Sequence, residues 1–340
     1  MQILFQAYDL NNKFMYNWQK NQWQHIMQQR KNLPHALLVR GFAGTGKQDF
    51  ALELSRSLLC HSPIETHACG TCSSCNWFKE MHHPDFRFIS PEDADTSEDA
   101  PKKKSTKKSQ ISVAQIRQLI DYLSLSSHQV DHHRVILISP AETLNIASAN
   151  ALLKMLEEPP ANTLFLLVSN QPQRLLATIT SRCQTIDMPL PSKTEAIDWL
   201  TEQNVHNAET LLEYSGGAPL AALQAAENND VTLQIVQQLS LGAQLQPFVC
   251  APAFLSLGME RALDTLQKWV FDLMSYKLTQ KYRYHAQHIK ALQALCKSVN
   301  LNSLMLLEQK LSDAKKMANH PLSNEMQLEN MLLHYTKIFN

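Results

Sequence analysis

His35-Ala36-Leu37-Leu38-Val39-Arg40 runs directly into Gly41-Phe42-Ala43-Gly44-Thr45-Gly46-Lys47, and the pattern after Lys47 is helical to residue 59. This junction decides the fold. An apolar run of strand length, a G-x-x-x-x-G-K loop and an amphipathic helix together form the opening unit of a phosphate-binding α/β domain. Three of the eight glycines in the chain fall between Gly41 and Gly46. Glycines let backbone N–H groups turn towards phosphate oxygens, the helix N-terminus favours negative charge, and the lysine reaches the outer phosphates. The spacing marks Gly41, Gly44, Gly46 and Lys47 as the nucleotide-contacting candidates. Two parts of a working site are missing, however. Gln48 stands where a Ser or Thr hydroxyl would meet Mg²⁺, and the apolar strand 134–138, which should end on an acidic residue, runs into Ser139-Pro140. Glu142 lies three residues past Ser139, too far along for the same geometric position. The pattern predicts a phosphate loop without hydrolysis and leaves ATP binding open.

Outward from this unit, β-branched and apolar runs at 36–40, 86–89, 134–138, 164–168 and 184–188 alternate with helical patterns at 47–59, 113–125 and 148–158. That alternation predicts a five-stranded parallel sheet covered by helices. The helix ending at 158 stops at Pro159-Pro160, since proline cannot continue it. Residues 90–110 carry an acidic block and then a lysine block with no large apolar residue, which reads as a solvated loop. After residue 188 the strand-like runs disappear. Residues 192–230 read as a small helical unit interrupted at Ser215-Gly216-Gly217-Ala218-Pro219, and from about 235 the spacing of Leu263, Leu266, Val270 and Leu273 is that of a helical bundle.

The 340 residues predict two or three domains, and 44% hydrophobic against 18% charged residues allows a sizeable core. Thirty-one basic residues balance thirty-one acidic ones, which argues against binding nucleic acid by bulk charge. Apolar runs such as 164–168 are far shorter than the roughly 18 residues that span a bilayer, and residues 1–10 carry no signal-peptide pattern. A cytoplasmic protein without membrane contact is expected. In such a chain cysteines are reduced thiols or metal ligands. Four of the seven, Cys60, Cys69, Cys72 and Cys75, crowd together. Four soft thiolates in a small glycine-containing loop suit tetrahedral Zn²⁺ as a structural ion. The rival is an iron–sulfur cluster, but the fourth cysteine followed by proline that ferredoxins carry is absent.

Ser181-Arg182-Cys183 precedes the last strand; its arginine is either a surface charge or a finger that stabilises phosphoryl charge on a neighbouring subunit. Together with the loop, the cysteine module and the string Ala149-Asn150-Ala151-Leu152-Leu153-Lys154-Met155-Leu156-Glu157-Glu158-Pro159-Pro160, this tripeptide resembles the bacterial clamp-loader subunits of DNA polymerase III. The resemblance covers roughly residues 16–225. It implies an AAA+ architecture: a RecA-like α/β domain at 1–188 with a zinc module at 60–75, a helical lid at 189–234 and a helical collar at 235–340. It further implies a hetero-pentameric ring with delta and tau/gamma subunits that uses ATP to load the sliding clamp onto primed DNA. Hydrolysing members keep Asp-Glu at the positions of Ser139-Pro140, Ser or Thr at Gln48, and a lid arginine near Leu220. Their loss, with Ser181-Arg182-Cys183 kept, implies the non-hydrolysing stator of that polymerase (nucleotidyltransferase) holoenzyme. Such a subunit has no activity alone and lends Arg182 in trans; the alternative is an ATP-hydrolysing tau/gamma-type subunit.

Overall fold

A computed structural model describes residues 15–91, 110–124, 134–316 and 324–339. Most of the charged stretch, residues 92–109, lies outside the described residues. The chain divides into two compact units, 1–195 and 196–340.

The first unit is built on strands β1 (Ala36–Gly41), β2 (Phe86–Ile89), β3 (Arg134–Ile138), β4 (Thr163–Ser169) and β5 (Gln184–Met188). All pair in parallel, in the order β2-β3-β4-β1-β5. All five expected strands form. Every residue of β3 and β4 is buried, because helices cover both faces. The pleat sends alternate residues to opposite layers: Leu37, Val39, Val135, Leu137, Leu164 and Leu166 to one, Leu38, Ile136, Ile138, Phe165 and Leu167 to the other. Parallel pairing also brings the C-terminal ends of the strands to one edge of the sheet. There the loop after Gly41, the Ser139-Pro140 step and Asn170 come together, at the edge where open α/β sheets take ligands.

Leu166 pairs with Leu37 in the sheet centre and is fully buried. Leu166→Ala removes that side chain and leaves a cavity, so stability should fall by about 2–5 kcal/mol. A urea midpoint for the first unit within experimental error of the parent would show that the sheet is not packed as described.

Helix α1 (Lys20–Gln28) precedes β1, and α2 (Lys47–Leu59) follows the glycine loop as expected. Helix α3 (Ser73–Lys79) lies in the cysteine module, and α4 (Val113–Ser124) precedes β3. Helix α5 (Ile146–Glu157) starts two residues before the apolar pattern does, because Asn145 Oδ1 accepts the Ser148 N–H at 2.8 Å and caps the first turn. The short helix α6 (Ala177–Thr180) leads into β5.

The second unit has helical structure alone among its described residues. Helices Ala208–Tyr214 and Pro219–Glu227 flank the expected break, where Gly216 and Gly217 take φ of +67° and +89°. They share a small core with Ala196 and Leu200. A larger core forms around helix Met259–Thr279, whose Leu263, Leu266, Val270 and Leu273 are fully buried at helical spacing. Inside it Trp269 Nε1 donates to Tyr335 Oη at 2.8 Å, which satisfies a buried indole N–H. No helix of the described residues is long and apolar enough to cross a membrane.

Candidate functional site

The phosphate loop has the expected backbone but is engaged with its own chain. Gly44 and Gly46 sit at φ +78° and +79°, and Gly41 lies so close to β5 that a Cβ would stand 2.5 Å from the Met188 carbonyl oxygen. At Gly46 a Cβ would meet the Tyr16 ring at 2.4 Å, so the glycine is required by conformation and by contact. Lys47 is buried and its Nζ donates to the Phe42 carbonyl at 2.5 Å. Burial pulls its ammonium down to about 8, and the negative charge of Glu142 offsets part of that.

Residues just before α1 cover the loop. Trp18 Nε1 donates to the Thr45 carbonyl at 3.0 Å. Gln19, fully buried, donates its side-chain amide to the carbonyls of Thr45 at 2.9 Å and Gly46 at 2.8 Å. Tyr16 stacks on Trp18 with ring centroids 4.8 Å apart, and its hydroxyl donates to Asp49 at 3.1 Å. Burial raises the Asp49 carboxyl to about 6, against the pull of that hydroxyl.

The two positions that would anchor Mg²⁺ in a hydrolysing loop are bonded to each other. Ser139 Oγ donates to Gln48 Oε1 at 3.0 Å, across the step from the end of β3 to the start of α2. Neither side chain carries charge. Glu142 does not take the strand-end position. It lies in a single helical turn, Ala141–Thr143, and its Oε1 accepts the Asn170 N–H at 3.1 Å, while Oε2 is buried with no hydrogen-bond donor among the described residues. Sequence spacing alone does not place this carboxylate near Lys47. The Pro140 step and the turn after it bring it there.

Arg182 follows α6. Its NH2 group pairs with Glu157 Oε1 at 2.7 Å, its NH1 donates to the Thr178 carbonyl at 2.9 Å, and its side chain stays 35% exposed. Glu157 is the last residue of α5, so the helix-plus-proline string and the Ser-Arg-Cys tripeptide are adjacent in space. That partner is not visible from the sequence. It could have been guessed only from the carboxylates in Leu156-Glu157-Glu158.

Cys60, Cys69, Cys72 and Cys75 converge, all four sulfurs within 4.8 Å of one another. The Sγ–Sγ separations are 3.6 Å for Cys60–Cys75 and 3.9 Å for both Cys60–Cys72 and Cys69–Cys75. Thiolates at ~2.3 Å from one tetrahedral ion stand about 3.8 Å apart, so the cluster fits a single metal ion such as zinc. A multi-iron cluster spreads its thiolates over several iron atoms and needs a wider cage. Backbone N–H groups of Cys69, Cys72 and Cys75 point at the sulfurs of Cys60, Cys69 and Cys72 at 3.2–3.4 Å. N–H groups of Thr71 and Cys72 hold the Cys69 thiol down at about 6, while burial pushes Cys75 up to about 12. A thiolate at Cys75 therefore calls for a cation beside it.

A family model described as DNA polymerase III, delta subunit, matches residues 17–192. The chain is 33% identical to the Pseudomonas aeruginosa DNA polymerase III subunit delta', over 78% of this chain and 79% of that one. The chain belongs to the DNA polymerase III delta-prime family. A delta-prime subunit from Bacillus subtilis is 32% identical over 83% of this chain and 86% of its own. Among solved structures, a DNA polymerase III gamma subunit-related protein from Thermotoga maritima has a TM-score of 0.44 at 15% identity, covering 94% of this chain and 100% of that one.

Proposed function

We propose that this chain is the non-hydrolysing stator of a clamp loader: an AAA+ subunit that joins delta and tau/gamma subunits in a hetero-pentameric ring and helps place the sliding clamp on primed DNA. In this reading 1–188 is the RecA-like domain, 189–234 is the lid, 235–340 is the collar through which the ring assembles, and the cysteine cluster holds structural zinc. The observation that carries the non-hydrolysing role is the Ser139–Gln48 hydrogen bond. A hydrolysing site keeps a hydroxyl and a carboxylate at these positions to hold Mg²⁺ between them. Here two neutral side chains satisfy each other, and the carboxylate three residues past Ser139, Glu142, accepts the Asn170 N–H instead of standing at the strand end. Nucleotide engagement would also require Lys47 to leave the Phe42 carbonyl.

Arg182 is the contribution to the ring. A guanidinium carries five N–H donors, so it can keep Glu157 and Thr178 and still donate to phosphate oxygens on a neighbour. The test of the non-hydrolysing role is direct. The isolated chain with Mg²⁺ and ATP should release phosphate at the buffer rate, and Gln48→Thr combined with Ser139→Asp and Pro140→Glu should restore metal binding before it restores turnover. Robust hydrolysis by the unmodified chain would move it to the tau/gamma type.

A further inference from the structure

Two sets of contacts share one short stretch of chain around α1. At its start Trp18 and Gln19 hold the carbonyls of Thr45 and Gly46. About one helical turn on, ~6 Å along the axis, Trp23 holds the cysteine module. Its Nε1 donates to Thr66 Oγ1 at 3.0 Å, its indole stacks on His67 with centroids 4.8 Å apart and planes 4° from parallel, and it meets Phe50 on α2 edge-on within the core of the first unit. Trp23 is 2% exposed. Thr66 and His67 lie on the loop between Cys60 and Cys69, and that loop is tied down nearby: Ser57 Oγ donates to the Thr66 carbonyl at 2.7 Å, and Ile64 and His67 exchange backbone hydrogen bonds. The module has almost no core of its own; its buried cluster is Cys60, Ala68 and Cys75, with Cys69 and Cys72 packed against it. Beyond those ties to its neighbours, what packs inside the module is the four cysteine sulfurs and Ala68.

We propose that the cysteine cluster, with its metal, locks the phosphate loop shut through Trp23. Ordered thiolates fix Thr66 and His67, these fix Trp23, and the rigid helix carries that position to Gln19 and Trp18, which close over Thr45 and Gly46. When the cluster opens, the buried indole N–H loses its acceptor, which is costly for a group shielded from water. The helix relaxes and the cover over the phosphate loop loosens. The inference rests on reading the phosphate loop as closed in the metal-loaded chain.

Hydrogen exchange on the full chain tests it, with zinc bound and after treatment with a strong chelator. Peptides spanning 16–28 and 42–50 should exchange at least about tenfold faster after zinc removal, while peptides from β3, β4 and the second unit keep their rates. Thr66→Val keeps the side-chain size and removes the acceptor. It should retain one zinc per chain and still quicken exchange at 42–50. The lock is refuted if chelation loosens only 60–75, or if Thr66→Val leaves 42–50 at the parent rate; the variant decides should chelation unfold the whole first unit. Fast exchange at 42–50 in the zinc-loaded parent, or binding of a fluorescent ATP analogue to it, would instead overturn the closed-loop reading.

Discussion

Replacing Arg182 by Ala should leave zinc content, folding and complex assembly unchanged and slow clamp loading sharply. Fingers supplied in trans are worth ~10³–10⁵ in rate at the site they serve. In the proposed ring only one of several sites would lose its finger, so loading should suffer more than bulk ATP turnover. The fold should tolerate the change. The lost ion pair, Arg182 with Glu157, is partly exposed on both sides at 35% and 50%, and solvent-screened pairs contribute about 0.2–1 kcal/mol. Arg182→Lys keeps the charge but not the planar fork, which donates to two oxygens at once, so it should rescue little. A reconstituted complex carrying Arg182→Ala that loads clamps at the parent rate would reduce Arg182 to a surface charge tied to Glu157.

Purified without chelator, the chain should carry one zinc ion, and Cys75→Ser should abolish it. Structural zinc contributes apparent binding energies of about 10–16 kcal/mol in small zinc domains at neutral pH. Here that energy acts mainly on the 60–75 loop, so the far-ultraviolet signal of the helical second unit should persist while protease cuts the module. The pH dependence has a fixed sign. Metal binding displaces the thiol protons, and burial holds the proton on Cys75 up to about 12, so affinity should fall as pH falls and zinc should be released on acidification. Iron in the metal analysis, or less than about half an equivalent of zinc, would defeat the assignment.

Much of this protein is legible without coordinates. The five strands, the glycine loop and the helical second half follow from local signals: β-branched and apolar runs, glycines clustered at 41–46, Pro159-Pro160 and the 3.6-residue spacing of Leu263, Leu266, Val270 and Leu273. These patterns report on the backbone and on which face is buried, and both are written along the chain. The cysteine cluster is legible for the same reason, since C-x-x-C spacing within one loop limits how far apart the sulfurs can lie. The missing Mg²⁺ anchors at Gln48 and Ser139 are also visible as residue identities.

What those positions do instead was decided by tertiary structure. The Ser139–Gln48 bond joins residues 91 apart, and the cover of Gln19 on Thr45 joins residues 26 apart. Glu142 reaches the neighbourhood of Lys47 only because the chain turns after Pro140, and Glu157 meets Arg182 only because α5 and α6 pack together. Hydrogen bonds and ion pairs of this kind are short-ranged and directional. Composition and periodicity carry no record of which distant partner will stand within 3 Å, so the contacts of Gln19, Ser139 and Arg182 are properties of the packed chain.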